Sequence, residues 1–164
     1  MSASRSRRHS GDAELSRGPE GFGRAHPRHA QVALSCNDLT ILNIVWAPYM
    51  TLQPHNHNMW GVIGIYTGRE DNIYWRRVPG GNGRLEAAGA KALGRGDVDP
   101  LGRDIIHSVT NPIPRLTVAI HVYGGDFFAA ERSEWDPETL VEQRWDPERA
   151  ERRFEEANRV MVGS

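Results

Sequence analysis

The residues whose types and spacing most directly imply chemistry are His55 and His57, one residue apart in "TLQPHNHNMWGVIGIYTGRE" at 51–70. On an extended strand, residues i and i+2 face one side with Cα atoms roughly 6.6 Å apart, so both imidazoles point into the same space. Their nitrogens can then converge on one metal ion at about 2.0–2.1 Å each. Pro54 favours extended backbone at the approach. An isolated H-x-H also suits a solvated strand face. The apolar residues that follow, Trp60, Val62, Ile63 and Ile65, argue instead for an interior position at the mouth of a barrel, a favoured place for ligands. Met59, Trp60 and Tyr66 are candidates to line that pocket, with core packing as the alternative.

A third ligand is offered by His107 in "GRDIIHSVTNP". Ile105, Ile106 and Val109 flank it, so a buried neutral histidine bonded to backbone is the competing reading. Three neutral imidazoles leave open positions on a divalent iron, much as the facial triad does with one carboxylate replaced. Zinc accepts the same set with a water. Ligand type does not choose between them. Imidazoles bind metal only when neutral, so affinity is expected to fall below about pH 6.5, the free histidine value.

These residues need a scaffold, and the chain has one domain's length: 164 residues, with 20 basic and 21 acidic side chains. The near-zero net charge gives no global argument for nucleic acid. No run approaches the roughly 20 apolar residues of a membrane span, and the N-terminus lacks a signal peptide's apolar centre. Cys36 is the sole cysteine, which excludes an internal disulfide; the expected location is the cytoplasm.

Three parts differ in composition. Residues 1–27 are rich in Ser, Gly and Arg with no apolar period and are expected to be a disordered tail. The middle part carries short β-branched and aromatic runs: "LTILNIVWAP", "WGVIGIYTG", "NIYWRRV", "LEAAGAKAL", "DIIHSVTN" and "RLTVAIHVYGG". They are separated by "GREDN", "PGGNGR", "GRGDVDPLG" and "NPIPR", which read as turns. This pattern predicts an all-β sandwich or barrel. The last part, 132–164, is expected to be helical and to pack on the barrel exterior. "WDPE" occurs there twice, at 135–138 and 145–148, each placing Asp and Pro at N-cap and first-turn positions. Ala150, Phe154, Ala157 and Met161 share a helical stripe, and Glu148–Arg152 and Glu155–Arg159 form i,i+4 pairs.

"PHNHNMWGVIGIYTGRE" together with "PLGRDIIHSVTNP" resembles the two motifs of the cupin superfamily, and "RLTVAIHVYGG" narrows the likeness to bacterial thiol dioxygenases of the cysteine dioxygenase-like group. The resemblance covers about 28–123 and implies a double-stranded β-helix (jelly-roll) barrel over 28–131 with a C-terminal helix. The glutamate usual after the second histidine of the first motif is absent, Trp60 and Gly61 standing there, as in three-histidine thiol dioxygenases. The family implies His55, His57 and His107 as Fe(2+) ligands, with Asn111 closing the second motif. Its Ser-x-His-x-Tyr segment falls on Ala119, His121 and Tyr123, which implies His121 and Tyr123 as the catalytic pair with the serine hydroxyl missing. Animal-type members join a cysteine to this tyrosine; Gly61 occupies that place here, so Tyr123 is held by packing and hydrogen bonds alone. Arg28 stands roughly where cysteine-specific members carry a carboxylate-binding arginine.

The activity so implied is a mononuclear non-haem iron(II) dioxygenase that converts a small thiol and O2 to a sulfinic acid. Two alternatives stay open: a three-histidine cupin enzyme of other chemistry, such as oxidative C–C cleavage, and a non-enzymatic cupin that binds a metal or small molecule.

Overall fold

The computed structural model describes residues 30–162, with side chains described through Arg159. The tail at 1–27, Arg28 and the side chain of Met161 lie outside the described residues. The strands are β1 (Gln31–Ser35), β2 (Thr40–Trp46), β3 (Thr51–Asn56), β4 (Gly61–Thr67), β5 (Arg69–Arg77), β6 (Leu85–Gly94), β7 (Val98–Leu101), β8 (Ile106–Thr110), β9 (Thr117–Tyr123), β10 (Ser133–Trp135) and β11 (Glu142–Arg144). One helix follows, α1 (Pro147–Val162).

Two antiparallel sheets form, in the orders β1-β2-β9-β4-β7 and β11-β10-β3-β8-β5-β6. From β2 to β5 the chain changes sheet at every strand, and it does so again from β7 to β9. That alternation is the double-stranded β-helix architecture, and it encloses a core between the sheets. Alternate residues of β2, β4 and β9 supply one wall: Leu42, Ile44 and Trp46, Ile63 and Ile65, Ala119, His121 and Tyr123 are all buried.

The passage from β4 to β5 takes one residue. Gly68 has φ of 83°, and a Cβ there would lie 2.2 Å from Thr117 Oγ1, so glycine is required. Thr117 Oγ1 then pins the crossing, accepting from the Arg69 amide and donating to the Arg69 carbonyl, both at 2.9 Å. "GREDN" is therefore not the turn its composition implies: Gly68 alone turns, and the rest is strand. Glu70 and Asn72 are completely buried on β5, a polar inward face that hydropathy patterns do not reveal. "VDPL" within the expected turn "GRGDVDPLG" likewise forms β7, where buried Asp99 accepts from Lys91 at 2.6 Å and from the Tyr74 hydroxyl.

The C-terminal part is only half helical. At the first "WDPE", Asp136 Oδ1 accepts from the amides of Glu138 and Thr139, but the turn ends at Leu140 and becomes the β10–β11 hairpin. At the second, Asp146 caps α1, accepting from the Glu148 amide at 3.0 Å. The difference lies downstream: "TLVEQ" is β-prone and bears no apolar stripe, whereas Ala150, Phe154 and Ala157 recur at helical spacing. The expected Glu148–Arg152 and Glu155–Arg159 pairs form at 3.6 and 3.5 Å.

The stripe does not pack on the barrel's outer surface. Phe154 stacks on Trp46 with ring centroids 5.4 Å apart, and Ala150 and Phe154 line the same cavity as the histidines. The helix thus closes the open side of the barrel. Arg149 fixes it there through an ion pair with fully buried Glu134 of β10, whose other oxygen accepts from Gln53 Nε2 at 2.9 Å.

Candidate metal centre

Pro54 has no N–H to give the ladder, and the β3–β8 register shifts between Leu52 and His55. Past this irregularity, His55 lies directly opposite His107, the cross-strand relation that brings side chains closest, and His57 follows just beyond the end of β3. The three rings have centroids 4.6, 5.0 and 5.0 Å apart, and one ligand nitrogen from each lies within 4.8 Å of the others. All three residues are buried. Among the described residues this is the one grouping of potential metal ligands.

Hydrogen bonding decides which nitrogens are free. His107 Nδ1 lies 2.7 Å from Asn72 Oδ1, and His55 Nδ1 lies 2.9 Å from the Gln53 carbonyl. Amide and backbone oxygens only accept, so both Nδ1 atoms carry the hydrogen and both Nε2 atoms present lone pairs. His107 Nε2 is buried with no hydrogen-bond partner among the described residues, a costly arrangement that a bound cation would relieve. Burial pulls the His55 imidazolium down to about 4. Burial, then repulsion from the neighbouring imidazoles, holds His57 and His107 well below the ordinary histidine value. All three are neutral ligands at physiological pH, which fits Fe(II) or Zn(II). Protons therefore compete for the folded site well below pH 6.5, not at the free histidine value expected from the sequence.

The opposite wall carries His121 and Tyr123, neighbours on the inward face of β9. His121 Nδ1 and the Tyr123 hydroxyl are 3.0 Å apart, and the Tyr123 ring packs edge-on against His57 at 4.7 Å. Burial pushes the Tyr123 phenol up, so it stays protonated. Gly61 faces this ring across the β4–β9 ladder, and a Cβ at Gly61 would lie 3.2 Å from Tyr123 Cδ1. Ala119 is fully buried and offers His121 no hydroxyl. Asn111 is an internal brace instead: its amide donates to the Ala47 and Arg115 carbonyls at 2.9 and 2.8 Å.

The cavity between the walls measures about 140 Å³. A cavity of about 150 Å³ holds benzene, so this one suits a ligand of a few non-hydrogen atoms. Of the aromatics proposed from sequence to line it, Trp60 and Tyr66 are each 49% exposed, Tyr66 bonding to Asn43 outside. Met59 is buried in the adjoining core. The rings that do line the cavity are Trp46, Tyr123, Phe127, Phe128, Trp145 and Phe154.

One residue of consequence escaped sequence reasoning. Arg132 also lines the cavity and is only 7% exposed. Its guanidinium lies 3.9 Å from the Phe127 ring centre and 4.6 Å from that of Trp145. Nε and Nη1 are buried and have no hydrogen-bond partner among the described residues. Burial lowers its pKa to about 10, so it remains charged at neutral pH. In sequence it sits in "AERSEW", indistinguishable from a solvated basic residue.

No family model matches the chain. Among solved structures it is similar to BH2720 from Bacillus halodurans, with a TM-score of 0.53 at 11% identity over 60% of this chain and 71% of that one. A protein with a double-stranded β-helix domain from Klebsiella pneumoniae subsp. pneumoniae aligns with a TM-score of 0.49 at 13% identity, over 75% of this chain and 90% of that one. Oxalate decarboxylase from Bacillus subtilis aligns at 0.46 and 16% identity over 57% of this chain, which spans 22% of that enzyme. At such identities the likeness concerns the fold. No helix among the described residues is long and apolar enough to cross a membrane.

Proposed function

We propose that this protein is a mononuclear non-haem iron(II) dioxygenase that oxidises a small carboxylated thiol to the sulfinic acid. The observation that carries the reading is one cavity of about 140 Å³ holding three neutral imidazoles, a protonated phenol and a buried guanidinium with unpartnered N–H groups. His55, His57 and His107 would hold the ion. The chemistry iron(II) supplies there is activation of dioxygen beside a coordinated thiolate, with RSH and O2 giving RSO2H. The size of the cavity and its fork of donors favour a compact substrate bearing a carboxylate, which a guanidinium matches in bidentate fashion. Arg132 binds that carboxylate, Tyr123 hydrogen-bonds the substrate from the opposite wall, and the aromatic lining excludes water.

The test is anaerobic loading with Fe(II), followed by oxygen uptake and product mass with cysteine, 3-mercaptopropionate and cysteamine. One sulfinate per O2 from a carboxylated thiol is expected, with cysteamine the poorest substrate. Arg132→Ala should raise KM for the carboxylated thiols about 10–100-fold, the size of a lost charge-assisted bond, and leave cysteamine unchanged. Arg28→Ala, run in parallel, decides whether the sequence-based candidate contributes. Absence of uptake with every thiol would transfer the site to another three-histidine chemistry.

A further inference from the structure

We propose that Glu70 is the positioning residue of this site: a single carboxylate that fixes the tautomers of two histidines, one on each wall of the cavity. Glu70 is completely buried on β5. Its Oε2 accepts from Trp46 Nε1 at 2.8 Å and lies 3.5 Å from His121 Nε2; its Oε1 accepts from Asn72 Nδ2 at 3.0 Å. No lysine or arginine pairs with it among the described residues. His121 Nε2 is buried and makes no hydrogen bond among the described residues, so its approach to Glu70 is an electrostatic contact.

The inference turns on a carboxylate being an acceptor on every lone pair. With the Glu70 carboxylate 3.5 Å away, the hydrogen of His121 is favoured at Nε2, where a lone pair would instead face the carboxylate's own lone pairs. Its Nδ1 is then a bare lone pair and must accept from the Tyr123 hydroxyl, 3.0 Å away. The phenol hydrogen is committed to His121, and the phenol oxygen faces the cavity as an acceptor. On the other arm, Asn72 must turn its NH2 toward Glu70. Its carbonyl oxygen is thereby aimed at His107 Nδ1, 2.7 Å away, so His107 keeps its hydrogen on Nδ1 and offers Nε2 to a metal. A hydroxyl in place of Glu70 would donate or accept and would leave both choices open. Ala119 removes even that competitor.

Whether this arrangement governs turnover rests on the function proposed above; the tautomers do not. They are read by long-range 1H–15N correlation on ¹⁵N-histidine-labelled full-length protein loaded with Zn(II). His121 is expected to show a single Nε2–H tautomer in the wild type. In Glu70→Gln, whose amide both donates and accepts, that signature should become a mixture, and Zn(II) affinity should fall about 10-fold, as for other outer partners of a metal ligand. An Nδ1–H tautomer in the wild type overturns the proposal without any variant. So does a Glu70→Gln protein with an unchanged His121 spectrum. Loss of thiol oxidation with the tautomers as expected would count against the proposed activity and leave the role of Glu70 intact.

Discussion

The two walls of the cavity reach order by different routes. On the metal wall, His55 is held by a carbonyl two residues away and lies across the ladder from His107, so hydrogen bonding and strand register assemble the ligands within one sheet. On the tyrosine wall, His121 and Tyr123 bond chiefly to each other, and the carboxylate beside His121 is Glu70, carried in from the other sheet. The first wall is built by local pairing and the second by a contact between sheets. Damage to the first should therefore abolish metal binding, and loss of the Tyr123 hydroxyl on the second should impair chemistry while the metal stays.

The sharpest separation comes from removing ligands. His57→Ala or His107→Ala should reduce bound iron or zinc to near background, a loss larger than the about 10–100-fold typical of outer partners, with the β-fold retained by circular dichroism. Full metal content in both variants would dissolve the distinction between the walls.

Acid should act next most strongly, and on the metal wall. Well above pH 6.5 the three ligand histidines are neutral folded or unfolded and add no pH dependence. Between 6.5 and about 4 the unfolded chain takes up protons that folded His55 refuses, so stability falls as pH falls. His55 alone accounts for about 3 kcal/mol over that window, and His57 and His107 act in the same direction. The urea midpoint of chelator-treated protein should drop steadily from pH 7 to 5. A flat profile would mean that these imidazoles are not buried as neutral groups.

Tyr123→Phe is the mildest change and belongs to the other wall. It removes one hydroxyl and keeps the ring that packs on His57, so metal content should be unaltered while kcat falls about 10–100-fold. Intact-mass measurement of active wild-type protein should show no thioether, since Gly61 faces the ring. Unaltered turnover in the phenylalanine variant would remove Tyr123 from the reaction.

What could be read from the sequence by itself follows from short-range periodicity. The H-x-H pair, the alternation along "VAIHVY" and the spacing of Ala150, Phe154 and Ala157 each fix a face by local geometry, and the structure brings His55, His57, His121, Tyr123, Ala150 and Phe154 of these to one cavity. His107, whose partner strand is distant in the chain, is a candidate ligand with a core histidine as the alternative, and the motif resemblance favours the ligand. What only the tertiary structure decided is where polar residues turn inward. Glu70 and Asn72 lie in a segment whose composition reads as a turn, and Arg132 in one that reads as a solvated edge. The two copies of "WDPE" share every residue yet start a hairpin in one place and a helix in the other. In each case the outcome depends on partners that no local periodicity reveals: Trp46 and His121 for Glu70, Phe127 and Trp145 for Arg132, Trp46 beneath Phe154 for the helix. A buried polar group is tolerated only where such partners meet it, and that meeting is a property of the packed sheets, not of the local pattern.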